Sequence, residues 1–505
     1  MTAGVTTALL AQQNPFRFLW WEFFASGSSV AGWVLGLELF ARLALAAVVV
    51  VRKGSRPSVA TAWIFVILSV PFVGLIAYLL VGESHLGAKR RRLHREIIAA
   101  FDKPLYHQHD DPRTHDVRLD ATDMQVASIA RITSHSRQLA GNRAQLLPDS
   151  ETSATAMIAD IAGAQRTVHL VTYIWLNDRI GDAFATALEA AAARGVACRV
   201  LVDGQGSRAF LRSASCRRMR ACGVRVVAAL PTRYLRALFH RIDVRNHRKI
   251  LVVDGTVGWV GSMNIAAPEF AVEPKFAPWV DCMVRLEGPV ARELQLLFAE
   301  DWYLDTNESL EELLREQPPF QADGVAAQIL ASGPNYDNAA IRHLLLGAIQ
   351  VARKEIVLTT PYFVPDTDMV SAICVAAQRG VAVHLVVPQR NNHRIVALAS
   401  RGRYQSLLRA GVRIHEFTKG LLHAKTVAVD GLFAIVTSSN LDRRSFDINF
   451  ECSAIIYDDA FTKQVRALQH SYIRASIEVS PAAWENLGVW TRLKLNAAAL
   501  ASPLI

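Results

Sequence analysis

The chain is poor in the features that mark metal, redox and nucleotide chemistry. Six cysteines occur in 505 residues, at 198, 216, 222, 282, 374 and 452, and none stands in a C-x-x-C pair or at metal-ligand spacing. Most lie in apolar, strand-like surroundings, so they read as packed thiols in a reducing compartment rather than as a disulfide framework or a zinc site. No phosphate-binding glycine loop is present. The glycines at 204 and 206 lack that spacing and read as a turn at the end of a strand. The extreme N-terminus lacks the basic start of a secretory signal, and two apolar stretches follow it rather than one. Acidic residues are outnumbered, 45 against 55 Lys plus Arg, for a net charge of +10. That balance favours anionic partners, either lipid headgroups or nucleic acid.

The two apolar stretches run over residues 28–51 and 59–81. A bilayer core needs about twenty apolar residues per helix, so the spacing predicts two transmembrane helices within 28–82, joined by a short basic loop. Pro71 is expected to kink the second. Glu38 and Arg42 interrupt the first, four apart and with Glu leading, the arrangement in which they pair on one helix face. Two spans place the tail, residues 1–27, and the main body on one side. Arg17 in the tail with Lys89, Arg90, Arg91, Arg92 and Arg95 outnumber Arg52, Lys53 and Arg56 in the loop, which predicts a cytoplasmic body. The run 89–95 reads equally as a topology anchor and as a grip on anionic lipid heads. Residues 83–123 as a whole read as a juxtamembrane basic segment and linker.

Beyond the linker, strand and helix patterns alternate. Residues 167–175 and 196–203 are apolar strand patterns flanking an Ala-rich helix over 181–194 that stops at Gly195. Residues 355–362, 368–379 and 381–387 repeat that order, with Gly380 as the stop and R-G-V-A at the matching place. A strand–helix–strand unit of this length implies a parallel sheet. The repeat is too long for a solenoid and indicates duplication of a whole domain, the halves covering 124–310 and 320–505 with Pro318-Pro319 between them.

The densest chemistry sits in the stretch from His247 through Lys249 to Asp254, which recurs 176 residues later as His423, Lys425 and Asp430. Both read H-x-K-x-x-x-x-D, and in both a Ser follows the His by fifteen residues and an Asn by seventeen: Ser262 and Asn264, Ser438 and Asn440. Along a strand His and Lys, two apart, share one face, whereas the Asp, at an odd offset, does not and belongs with the turn as a support. Histidine serves as nucleophile or proton shuttle near neutral pH, and a neighbouring lysine is suited to a phosphate oxygen. Ser and Asn at the end of the next strand are expected to donate further hydrogen bonds to that phosphate.

The doubled motif, with G-S-x-N after its first copy, resembles the phospholipase D superfamily. The resemblance implies an α/β fold of two duplicated α/β/α domains related by a pseudo-twofold axis. It implies one site shared by both motifs, with one His attacking phosphorus and the other protonating the leaving alcohol, and with no metal or cofactor. It also assigns to Asp281 and Glu451, each beyond a Ser/Asn pair, the task of holding the imidazole nitrogen that is not used in chemistry. Further segments are similar to the bacterial cardiolipin synthases within the superfamily: L-D-R-R-S-F at 441–446, T-P-Y-F-V-P-D at 360–366, A-S-G-P at 331–334, R-N-H-R-K-I at 245–250 and S-P-L at 502–504. One departure is Thr437, where the family carries Gly, and its bulk is expected beside the phosphate pocket. The segment 231–245 interleaves aromatics with arginines and reads either as a lip in the headgroup layer or as an ordinary surface helix.

The function this implies is transfer of a phosphatidyl group from one phosphatidylglycerol to another at the bacterial inner membrane, giving cardiolipin and glycerol. The expected partners are phosphatidylglycerol, other anionic phospholipids and the bilayer, not nucleic acid. The alternatives are hydrolysis by the same residues and transfer to another alcohol.

Overall fold

The computed structural model describes residues 30–53, 57–82, 90, 92–94, 96–97, 112–115, 117, 119–231, 243–270, 273–336 and 339–500. The tail, Lys89, Arg91 and Arg95 of the basic run, most of the 231–245 segment and the 502–504 tripeptide therefore lie outside the described residues.

Among the described residues the N-terminal unit comprises three helices: α1 (Val30–Lys53), α2 (Pro57–Ser69) and α3 (Val73–Val81). Among the described residues one helix, over Gly32–Val51, is long and apolar enough to cross a membrane. The second stretch departs from the expected single helix. It breaks into α2 and α3, because Pro71 cannot donate to the ladder and Phe72 turns to φ 56°. The break leaves the Leu68 carbonyl and the Phe72 N–H without each other. Arg42 donates to the Leu68 carbonyl at 2.9 Å and Glu38 accepts from the Phe72 N–H at 3.2 Å. Glu38 and Arg42 are themselves paired at 2.5 Å, so this ion pair satisfies the backbone groups that the kink opens. Val49, Trp63, Ile67 and Tyr78 pack the three helices together, with Trp63 edge-on to Tyr78.

The body is built on one fifteen-stranded sheet, among the described residues. In the first half the strands are β1 (Leu139–Leu147), β2 (Thr167–Thr172), β3 (Ala197–Asp203), β4 (Arg225–Ala229), β5 (Ile250–Val253), β6 (Val257–Gly261), the short β7 (Trp279–Val280) and β8 (Met283–Glu287). In the second they are β9 (Val325–Ser332), β10 (Glu355–Thr359), the short β11 (Phe363–Val364), β12 (Ala382–Pro388), β13 (Arg413–Phe417), the short β14 (Leu421–Leu422), β15 (Thr426–Val429), β16 (Phe433–Thr437), the short β17 (Leu441–Asp442), β18 (Glu451–Tyr457) and β19 (Ser476–Glu478). From the centre outward one side runs β1-β8-β6-β5-β2-β3-β4, and the other runs β9-β18-β16-β15-β10-β12-β13 with β19 at the edge. The two orders are the same list in duplicate, joined by the antiparallel pair β1/β9.

The expected strand–helix–strand units are present. Helix α4 (Ala121–Ser134) leads into the body, and α5 (Arg179–Ala193) is capped by Asp178, which accepts from the Ile180 and Gly181 amides. Gly195 ends it at φ 91°. Strands β2 and β3 then pair in parallel, as β10 and β12 do in the second half. Two helices, α6 (Pro289–Thr306) and α7 (Ala340–Val351), carry the chain from one half into the other. One departure concerns the boundary. Val126, Ala127 and Ala130 of α4 are buried with Leu330, Leu344 and Ala348, so the leading helix of the first half completes the core of the second. A further cluster joins the halves, with Leu294 and Phe298 of α6 packed in one group with Ile329, Val357 and Phe461. Cys198, Cys216, Cys282 and Cys452 are buried thiols, as expected; Cys222 is exposed.

Candidate active site

The two motif segments enter the centre of the body next to one another. Each is extended and feeds a short buried strand, β5 or β15, whose four residues all face core. The two segments are tied across the halves in matching ways. The His247 N–H donates to the Phe450 carbonyl at 2.9 Å, and the His423 N–H donates to the Val280 carbonyl at 2.8 Å. Asn246 bridges in parallel to Phe450, and β14 pairs in parallel with β7. Each motif histidine is thereby set beside the acid of the opposite half.

His247 Nδ1 lies 2.9 Å from Glu451 Oε2, and His423 Nδ1 lies 2.6 Å from Asp281 Oδ1. Both rings line one cavity of about 580 Å³. With Nδ1–H given to a carboxylate, the tautomer is settled and each Nε2 presents a lone pair. Burial drives both histidines downward, His247 to about 4 against the upward pull of Glu451, and His423 to about 3 with Lys425 adding to the descent. Both are neutral near pH 7. For Asp281, burial acts upward but is outweighed by His423, Lys425 and Ser262, and its carboxyl is held at about 2.

The remaining predicted residues divide. Asn264 and Asn440 line the cavity. Asn264 Oδ1 accepts from the Ile174 N–H at 3.2 Å, while Asn440 Oδ1 is buried without a protein partner. Ser262 and Ser438 do not point at a phosphate position as expected. Ser262 donates to Asp281 at 2.7 Å and Ser438 to Glu451 at 2.5 Å, and each oxygen also accepts a backbone N–H, from Cys282 or Cys452. They orient the carboxylates that orient the histidines. Lys249 and Lys425 are buried and do not line the cavity; each donates to the carbonyl of its own motif histidine at 2.7 Å. Burial lowers Lys249 to about 7 and Lys425 to about 8.

Asp254 and Asp430 stand outside the site, at the turns that follow β5 and β15, and the catalytic grouping with His and Lys does not hold for them. Asp254 takes the N–H groups of Gln165, Arg166 and Thr167, each at 2.8 Å. Asp430 does the same for Arg353, Lys354 and Glu355. Both adopt φ 52°, a conformation Asp tolerates in a turn. Thr437 is not beside the phosphate position either. Its hydroxyl turns into the sheet, 2.7 Å from Ser453 Oγ, and accepts the Ser439 N–H. A β-carbon at the matching Gly261 would meet the Cys282 carbonyl at 2.5 Å, so glycine is required there by a close approach of backbone.

Sequence reasoning missed the aromatic frame. Tyr173 meets His247 edge-on at 5.0 Å, and Trp279 leans on His423 at 4.6 Å while stacking on Phe270. The signal available was Trp279 two residues before Asp281, hence on the same face of an extended segment. It also missed Arg248, whose guanidinium is fully buried and bonded to Asp301 at 2.6 Å.

A family model described as "Cardiolipin synthase, PLD-like domain" matches residues 157–302 and 345–471. A second, described as "Phospholipase_D-nuclease N-terminal", matches 43–83. The chain belongs to the cardiolipin synthase family. It is 37% identical over 468 residues to cardiolipin synthase A of Edwardsiella ictaluri, covering 90% of this chain and 95% of that one. It is 36% identical over 487 residues to cardiolipin synthase A of Salmonella arizonae, covering 94% and 99%. Among solved structures, the phosphatidylserine synthase of Haemophilus influenzae superposes with a TM-score of 0.56 at 13% identity, over 76% of this chain and all of that one, which supports the shared fold.

Proposed function

We propose that this protein is a membrane-associated cardiolipin synthase that transfers the phosphatidyl group of one phosphatidylglycerol to a second and releases glycerol. The observation that carries the reading is the pair of neutral imidazoles in one cavity, each with Nδ1 engaged by a carboxylate from the other half.

In the first displacement His247 Nε2 attacks phosphorus. An N–P bond forms, the P–O bond to glycerol breaks, and His423 gives its proton to the departing oxygen. Substrate phosphate brings negative charge to the site, which favours the protonated form of His423 needed for that step. In the second displacement the neutral His423 takes the proton of a glycerol hydroxyl on the second lipid, whose oxygen attacks phosphorus as the N–P bond breaks. Asn264 and Asn440 face the transferring group. Lys249 and Lys425, held charged by the bound phosphate, supply positive charge beneath it, where low dielectric strengthens their pull on the developing charge. The free energy of the phosphodiester is kept in the phosphohistidine, so no nucleotide is consumed.

The family and the apolar helix Gly32–Val51 support membrane association. We infer a second crossing by α2 and α3 together, and a cytoplasmic body at the inner membrane. The test is product analysis. The purified full chain, given glycerol-labelled phosphatidylglycerol, is expected to release one glycerol per cardiolipin formed. Phosphatidic acid as the main product indicates hydrolysis instead, and new phospholipids on adding serine or ethanolamine indicate another acceptor.

A further inference from the structure

Two helices at the second half carry an apolar face that stands exposed among the described residues. They are α9 (Arg394–Arg401), which follows α8 (Thr367–Gln378), and, beyond α10 (Tyr404–Arg409) and α11 (Asp459–Arg474), the C-terminal α12 (Val489–Leu500); α9 and α12 pack on one another. In α12 only Leu495 is buried, and the backbone near it and Ala499 closes on Gly402. The opposite stripe, Trp490, Leu493, Ala497 and Leu500, follows helical spacing and is exposed, with Trp490 75% and Leu500 81% accessible. Ile395 and Leu398 of α9, three apart and so on one face, are exposed as well.

Two observations indicate what covers this face. The first is charge. Neither helix contains an acidic residue, while Arg394, Arg492 and Lys494 are exposed on them. An apolar stripe with Trp, flanked by cations, is the composition of a helix lying at an anionic bilayer surface. The second is continuity with the site. Val396 of α9, and His393 at its N-cap, line the cavity that holds both motif histidines. One short helix thus has one side in the cavity wall and the adjacent side in the apolar face.

We propose that α9 and α12 form a membrane-docking face that rests on anionic phospholipid and sets the cavity mouth against the headgroup layer. A diacyl substrate then enters headgroup-first while its chains stay in the bilayer. The entry role rests on the lipid-transfer reading; the docking itself does not.

The test uses the full chain in vesicles of phosphatidylglycerol and phosphatidylcholine. With bromine-labelled acyl chains, the emission lost on making Trp490→Phe is expected to be the quenchable component. The Trp490→Glu/Leu493→Glu variant is expected to raise the apparent KM for long-chain phosphatidylglycerol in vesicles about tenfold or more, from loss of two buried apolar side chains. Its kcat/KM for a short-chain, monomeric phosphatidylglycerol should match the parent, which also shows that the variant folds. Trp490 emission indifferent to bromolipid overturns the proposal. So does a parallel loss on both substrates, or a Leu493→Cys protein that cross-links to a second copy. A parent protein inactive on both lipids, with Trp490 still quenched, removes the transfer reading and leaves the docking face standing.

Discussion

Arg248, the residue between His247 and Lys249, is the most informative place to perturb the body. Its guanidinium donates to Asp301 at 2.6 Å, to the Glu451 carbonyl at 3.1 Å and to the Ser332 carbonyl at 3.4 Å, between the rings of Tyr336 and Phe450. It ties the first motif to α6 and to the strand that carries the acid for His247. The second motif has Ala424 in this place, buried among apolar neighbours. Replacing Arg248 by Met keeps the volume but strands the Asp301 carboxylate, 2% exposed, beside an Asn246 amide at 3.0 Å. Breaking one member of a buried pair costs about 3–5 kcal/mol. Replacing both, as Arg248→Met/Asp301→Leu, removes the stranded charge. What then remains unpaired is the Asn246 side-chain amide, about 1–3 kcal/mol for a buried group left without a partner, since Glu451 and Ser332, whose carbonyls Arg248 also meets, pair with each other in the β18/β9 ladder. The double variant is therefore expected to unfold at a higher temperature than Arg248→Met alone, with a coupling between the two sites well above the ~0.5 kcal/mol seen for independent positions. Thermal unfolding followed by circular dichroism measures this for all four proteins, and turnover of phosphatidylglycerol is assayed alongside. Additive losses, or an Arg248→Met protein as stable and active as the parent, would refute the argument that this buried pair anchors the first motif to α6.

The crossed pairing of acids and histidines predicts that Glu451→Gln acts through His247 and Asp281→Asn through His423. Each should lower kcat by about 10⁴-fold, as a wrong tautomer does in other His–carboxylate sites, without unfolding the protein; a loss under tenfold in either would show that the carboxylate does not set the tautomer. Lys249 and Lys425, lowered by burial to about 7 and about 8, lose their charge as pH rises through that range. In the free enzyme kcat/KM should therefore fall on the alkaline side. Bound phosphate holds the lysines charged, so the limb in kcat lies at higher pH, and Lys425→Arg, which keeps its charge, should shift the kcat/KM limb. An unmoved limb would mean that Lys425 does not control it and leave the lower-titrating Lys249 as the group that does. Asp254→Ala and Asp430→Ala should lower stability by at least ~1.5–3 kcal/mol through lost hydrogen bonds to a charged acceptor, while kcat per folded molecule is unchanged. A collapse of kcat with stability intact would return these residues to the chemistry.

The sequence by itself determined the reaction class and the duplicated fold. The fold follows from local pattern, two apolar strands flanking a capped helix and the same order again in the second half, and the reaction class follows from the resemblance carried by the two His-Lys motifs 176 residues apart. It also placed Asp254 and Asp430 at turns, because an odd offset on a strand turns a side chain away. What only the tertiary structure decided is which ends of chain abut. Glu451 lies 204 residues from His247, and Asp281 lies 142 from His423, so no periodicity relates them. The parallel contacts of Asn246 with Phe450 and of β14 with β7 make the exchange. Ser262 and Ser438 were drawn by those same carboxylates away from the phosphate, and Thr437 by the sheet. In the apolar N-terminus, composition marked a stretch long enough to span. The geometry at Pro71 divided it, and Glu38 and Arg42 close the gap by taking up the Phe72 N–H and the Leu68 carbonyl that the break leaves without their helical partners.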